Sequence, residues 1–172
     1  MDPDAIDSLK STSKVWKAPL FLAVHVVSPT IVGFIVYLLW RSPNLRWVGW
    51  MKAVGLDRSF HEIRAWSDPL RGYVPEWLLF SLPDGLWVYA LTAGMVLIWA
   101  GERGLVSRLW VACGLILGAG AELLQALDFI PGTFDWHDMI ASVSAAAVAL
   151  LAANRCLTPG RRAAAAVVRP AP

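Results

Sequence analysis

Polar side chains crowd into one stretch of this chain, AELLQALDFIPGTFDWHD from position 121 to 138, between two apolar runs. It carries Glu122, Gln125, Asp128, Asp135, His137 and Asp138. Glu122 and Gln125 stand three residues apart, as do Asp135 and Asp138, so on helices each pair shares a face. Three chemistries fit such a set. Carboxylates with an imidazole offer oxygen and nitrogen ligands to a divalent cation, here from Glu122, Asp135, His137 and Asp138. A buried Glu122 with a raised pKa can act as a general base. An acidic pocket can also simply bind a cationic or polyhydroxylated ligand. The spacing matches no known metal-enzyme signature, and the chain has no phosphate loop, nucleophile elbow or H-E-x-x-H.

The elements that hold these residues are written in the composition. Of 172 residues, 57% are hydrophobic and only 16% charged, with a mean hydropathy of +0.54. Soluble domains carry about 25% charged residues. The expected fold is therefore all-α, a polytopic membrane helical bundle of about four transmembrane helices. Positions 1–17 form a polar N-terminus, 18–153 the membrane domain and 154–172 a basic Ala/Pro tail expected to be disordered. The first apolar run is too long for a signal-peptide core and reads as a retained span. A net charge of +2 and the lack of a basic stripe give no case for nucleic acid. Cys113 and Cys156 fall in different spans and are expected to be free thiols.

The spans are placed at 18–40, with Pro29 as a kink and Ser28 or Thr30 covering freed backbone groups; at 83–100, after an interfacial 76–82; at 109–127; and at 138–153. A mixed polar loop, 41–74, is expected on the membrane surface because it carries Trp47, Trp50 and Trp66. Gly114, Gly118 and Gly120 permit close helix contact, with a homodimer face as the alternative, and Ala141, Ala145, Ala149 and Ala152 make a similar stripe. Lys10, Lys14, Lys17, Arg103, Arg108 and the basic tail favour both termini in the cytoplasm.

This topology brings Asp84, Glu122, Gln125, Asp135 and Asp138 to one depth near the outer face, from three helices. Each has a structural alternative. Ser81-x-x-Asp84 matches a capping box, and Asp135 can cap the last helix with Asp138 favoured in its first turn. Glu122 has the weakest such alternative. It lies far from its helix start, about 7–8 Å inside the boundary, and needs a partner, a proton or water. His25, alone on an apolar helix, reads as a packed, hydrogen-bonded group rather than a ligand.

Asp84-x-x-Trp87 opening one span, Glu122-x-x-Gln125 closing the next, then Pro131-Gly132 and Asp138, resembles the VanZ-like family of small bacterial integral membrane proteins. The likeness covers roughly positions 82–150. Where the family usually has histidine, arginine and asparagine, this chain has Trp87, Thr133 and Ser142, so it looks like a divergent member. The missing arginine is the natural bidentate partner for the carboxylates. Its place can be taken by a protonated Glu122, a cation, or an arginine of the 41–74 loop, with Arg64 and Arg71 as candidates. The resemblance implies a protein of the bacterial cytoplasmic membrane, in a family named for a contributor to glycopeptide-antibiotic resistance.

Two functions compete. One is a non-enzymatic, accessory envelope protein that binds a lipid headgroup, cell-wall precursor or antibiotic. The other is a membrane hydrolase or transferase acting on a lipid-linked substrate, with a divalent cation as its only candidate cofactor. A purely structural membrane subunit is the third reading. Expected partners are membrane lipids and a small-molecule or lipid-linked ligand, with a second copy of the chain as an alternative.

Overall fold

The computed structural model describes residues 18–41, 46–102 and 104–157. The polar N-terminus, Arg103 and nearly all of the basic tail therefore lie outside the described residues. The helices are α1 (Ala18–Trp40), α2 (Arg46–Ala53), α3 (Asp57–Ser67), α4 (Glu76–Ile98), α5 (Leu105–Ala126) and α6 (Trp136–Leu157), with a 3₁₀ segment (Asp68–Tyr73) after α3. There is no strand among the described residues. Four helices, α1, α4, α5 and α6, are long and apolar enough to cross a bilayer, and the chain is an all-α, multi-pass membrane protein. At 22 or 23 residues each, they reach about 33–35 Å against a hydrocarbon core of about 30 Å.

The centre of the bundle is α4, which packs against α1, α5 and α6. Small residues let the helices approach. Ala93 of α4 and Ala149 of α6 are both fully buried. Gly85 of α4 lies against Ala141. On α5 a Cβ at Gly118 would stand 2.7 Å from Val88 Cγ2, and one at Gly114 would stand 2.8 Å from Thr92 Oγ1. Gly114-x-x-x-Gly118 is thus spent on packing within the chain, as expected. Gly120 is not part of that contact, for nothing stands within 4 Å of its would-be Cβ. The fully buried line of α6 runs Ser142, Ala146, Ala149, Ala153; it shares Ala149 with the expected Ala141, Ala145, Ala149, Ala152, and Ala141 packs on Gly85 of α4. Because α6 is wedged between α4 and α5, its inward line falls between the two alanine rows.

Pro29 shapes α1 without breaking it. The five residues Ala23–Val27 form a π-helical turn, in which the Ser28 N–H donates to the Ala23 carbonyl. Such a turn relieves the clash a mid-helix proline makes with the carbonyl four residues back. The Thr30 hydroxyl donates to the Val26 carbonyl at 2.6 Å, a back-bond to its own i−4 residue and not to the His25 carbonyl that Pro29 leaves open. In α4 the expected boundary is wrong. Pro75 precedes the first turn, the helix begins at Glu76, and it runs through a fully buried Pro83. Residues 76–82 are helix, not a separate interfacial segment. Likewise α5 begins at Leu105 rather than 109, and α6 spans Trp136–Leu157 rather than 138–153.

The 41–74 segment is mostly helical and is tied to the end of α1. Phe60 is buried beneath α3. The Arg64 guanidinium donates to the carbonyls of Arg41 at 2.6 Å and Leu38 at 3.4 Å, satisfying acceptors that a helix end leaves open. Trp40 Nε1 donates to the Ser67 carbonyl at 3.3 Å. Trp50, Trp66 and Tyr73 are largely exposed.

Candidate functional site

The site is assembled at the end of the bundle where α4 and α6 begin and α5 finishes. Asp84 is in the third turn of α4, eight residues past the helix start. A residue there cannot cap the helix, so the capping-box reading of Ser81-x-x-Asp84 fails. Asp84 is largely enclosed and lies within electrostatic range of Arg41, Asp138 and Glu122. Asp84 thus feels carboxylates from the other two helices, Glu122 of α5 and Asp138 of α6, and the Arg41 guanidinium.

Glu122 does have a partner. It is 8% exposed, and its Oε2 accepts the backbone N–H of Asp135 at 3.0 Å. The last turn of α5 thus grips the residue that starts α6 and fixes the loop between them. Gln125, one turn on, lies against the same loop. Gly132 has φ +146°, and a Cβ there would stand 2.5 Å from Gln125 Nε2, so only glycine lets the two approach. Glu122 and Gln125 position the loop from one helix face, which their spacing had foreshadowed.

Asp135 caps α6. Its Oδ1 accepts the His137 backbone N–H at 2.8 Å, and its carbonyl accepts the Met139 N–H. The His137 ring Nδ1 also meets Asp135 Oδ1, at 2.9 Å. These contacts, chiefly the backbone N–H and then the ring, hold the Asp135 carboxyl below the usual carboxylate range. His137 is exposed and paired with Asp135.

Asp138, in the first turn of α6, faces inward. Its Oδ1 is buried with no hydrogen-bond partner among the described residues. The same holds for Ser81 Oγ, three residues before Asp84 on α4. Buried polar atoms are almost always paired, and these orphans mark where a donor or acceptor is wanted. Asp128, the remaining acid of the loop, is exposed with φ +56° and stands apart from the group.

The metal set Glu122, Asp135, His137 and Asp138 is not assembled. Among the described residues no three His, Cys, Asp or Glu side chains gather to ligate one ion. The reason is division of labour: Glu122 turns to a backbone N–H, and His137 and Asp135 turn to each other. The cation beside the acids is Arg41, whose guanidinium lies 5.6 Å from the Tyr37 ring centre and 5.3 Å from that of Phe80. Arg64, the expected partner, is occupied with α1 carbonyls, and Arg71 is exposed. The cation does come from the 41–74 segment, but from its first residue, Arg41, rather than from the named candidates Arg64 and Arg71, and Ser81, read as part of a capping box, is instead a buried hydroxyl beside Asp84 in sequence. Arg41 was legible as the first charge beyond an apolar run, one turn from an aromatic residue, Tyr37.

Two positions of departure from the VanZ-like pattern serve packing. Trp87 stacks near Tyr37, with ring centres 5.2 Å apart, and lies against Gly33 where α1 crosses α4. Ser142 is 1% exposed and faces Gly118. Thr133 is exposed. Deeper in the bundle His25 Nδ1 is hydrogen-bonded to the Tyr89 hydroxyl at 2.5 Å, and its Nε2 lies 3.9 Å from Cys156 Sγ. It is a packed, hydrogen-bonded histidine, as expected. Cys113 and Cys156 are both free thiols.

Comparison with known proteins returns no matching family model, no matching curated protein and no matching solved structure.

Proposed function

We propose that this chain is a divergent VanZ-like protein of the bacterial cytoplasmic membrane, with both termini cytoplasmic, and that it works as an accessory envelope protein rather than an enzyme. Its acidic group, near the outer face, binds a ligand that donates hydrogen bonds or carries positive charge: a lipid headgroup, a cell-wall precursor or a glycopeptide antibiotic. The observation that supports this reading is that Asp84, Glu122 and Asp138, from three helices, act electrostatically on one another beside Arg41, with Asp138 Oδ1 buried and without a hydrogen-bond partner among the described residues. Ionisable groups at membrane depth cost about 2.5–3.5 kcal/mol each on insertion scales, a cost seldom carried without use.

The hydrolase alternative has less support. His137, the acid–base residue nearest the site, is paired with the cap residue Asp135, and the acids are not arranged as a ligand set. The test is an Asp84→Asn, Asp138→Asn double variant, which leaves the Glu122 anchor intact. It should fold like the wild type and lose ligand binding and any envelope phenotype. Unchanged binding and phenotype would refute the proposal.

A further inference from the structure

A second group of reactive side chains lies away from the acids and comes from three other places in the bundle. His25 is the central residue of the π-helical turn Ala23–Val27 in α1, Tyr89 belongs to α4, and Cys156 is the last residue but one of α6. His25 Nδ1 is hydrogen-bonded to the Tyr89 hydroxyl at 2.5 Å, and its Nε2 lies 3.9 Å from Cys156 Sγ. The imidazole thus stands between a phenol and a thiol, one at each ring nitrogen. A nucleophile beside a base that a third group orients is the arrangement in which thiols and hydroxyls are activated.

The surroundings suit that chemistry. Tyr89 and His25 are half-buried, while Cys156, which makes no disulfide, is exposed. The His25 ring is also held by Phe21, with ring centres 4.5 Å apart. With its proton on Nδ1 and donated to the Tyr89 oxygen, the ring leaves the Nε2 lone pair facing Cys156 Sγ. Cys113, the other free thiol, has no histidine beside it among the described residues. Cys156 stands at the end of a membrane-spanning helix, on the cytoplasmic side in the proposed topology. Thiols at a membrane edge are where long acyl chains are attached through thioesters.

We infer that Cys156 is an acyl acceptor, taking a long-chain acyl group from an acyl thioester, with His25 as its base and Tyr89 as the residue that positions His25. The thiol proton passes to His25 Nε2 as Sγ attacks the thioester carbonyl. The Cys156 Sγ–carbon bond forms, the carrier's sulfur–carbon bond breaks, and the departing thiolate takes the proton back from Nε2. One thioester replaces another, so no oxidant or reductant is needed. The attached chain enters the bilayer beside α6 and tethers the end of that helix.

The experiment incubates the purified full chain, in lipid nanodiscs and with Cys113→Ala to leave a single thiol, with palmitoyl-coenzyme A. Acylation is followed by intact mass. The protein should gain one acyl chain that hydroxylamine removes, and the Cys156→Ala variant should gain none. His25→Ala should acylate at least tenfold more slowly, and added imidazole should restore part of the rate, which a packing role would not do. If His25→Ala does not fold, His25→Gln replaces it with the same tenfold loss expected. Tyr89→Phe should slow the reaction severalfold and shift the nitrogen NMR signals of the His25 ring away from the Nδ1-protonated pattern. Iodoacetamide, small and water-soluble, separates the two parts of the inference. Alkylation of Cys156 that depends on His25, without any acylation, refutes the acyl acceptor and leaves an activated thiol. If the His25 variants react with both reagents as fast as the parent protein, the group is packing alone and the inference is refuted.

Discussion

Replacing Glu122 separates its anchoring role from any role of its charge. Its Oε2 takes the Asp135 N–H at 3.0 Å from a site only 8% exposed to solvent. Glu122→Ala leaves that N–H without its acceptor, and hydrogen bonds to charged groups are worth about 1.5–3 kcal/mol net. For a chain of this size each kcal/mol moves the midpoint by about 2–4 °C, so Glu122→Ala should melt about 3–12 °C lower. Glu122→Gln keeps a carbonyl oxygen at the same reach. It gives up the charge-assisted part of the bond but also removes one negative charge beside Asp84 and Asp138, which it neighbours electrostatically. Its loss should stay below about 1 kcal/mol. Thermal unfolding in detergent gives the midpoints, and amide hydrogen exchange at Asp135 locates the effect, with loss of protection in the alanine variant only. If Glu122→Gln melts as low as Glu122→Ala, the negative charge is the working feature and the anchoring account is wrong. If neither variant moves the midpoint or the exchange, the bond contributes nothing.

The rest of the bundle yields further tests. Gly118→Val should destabilise by about 1–3 kcal/mol, because even a Cβ there stands 2.7 Å from Val88 Cγ2, whereas Gly120→Ala, in open space, should be neutral or stabilising by up to about 1 kcal/mol. Unfolding midpoints decide between them. Arg64→Ala should cost about 1–3 kcal/mol by orphaning the Leu38 and Arg41 carbonyls, while Arg71→Ala, at an exposed position, should leave the midpoint unchanged. The Asp135 carboxyl is held below its ordinary value of 3.8 by the His137 N–H, so its cap contributes fully above that value and is lost as pH falls through the lower folded value. Wild type should therefore exceed Asp135→Asn in midpoint at pH 7, and the gap should close below about pH 4; a gap that widens on acidification would reverse the assigned sign.

Hydropathy alone located the four spans, because about twenty apolar residues in a row have few other homes. Connectivity then placed Asp84, Glu122 and Asp138 at one level. What failed were features decided by tertiary contact. Pro83 looks like a first-turn proline, yet α4 passes through it because its surroundings bury it completely. The inward line of α6 was only partly read, with Ala149 and Ala141 on it but Ser142, Ala146 and Ala153 not named, since alanines occupy both candidate rows and give the sequence no contrast to read. The cation of the site was sought on Arg64 and Arg71 because both lie in the basic loop. Arg64 instead closes the end of α1, and Arg41 is left to face the acids from its place beside Tyr37 and Phe80.

The acids at this end of the bundle do not share one task. Asp135 caps α6, and Glu122 fastens that cap to α5, so both are engaged with backbone N–H groups before any ligand arrives. Gln125 and Gly132 close the same joint from the other side. Asp84 and Asp138 are what that joint holds in place: one too deep in α4 to cap it, the other with a buried oxygen lacking a partner. A polar network with an unmet member is costlier than an apolar contact of the same shape, so a merely structural group would be expected to have closed on itself. Among the described residues Asp138 Oδ1 is the member of this acid group left unmet, whereas the acids at the loop are already engaged. Loss of function should therefore track Asp84 and Asp138 and loss of fold should track Glu122, a separation that a purely structural cluster would not produce.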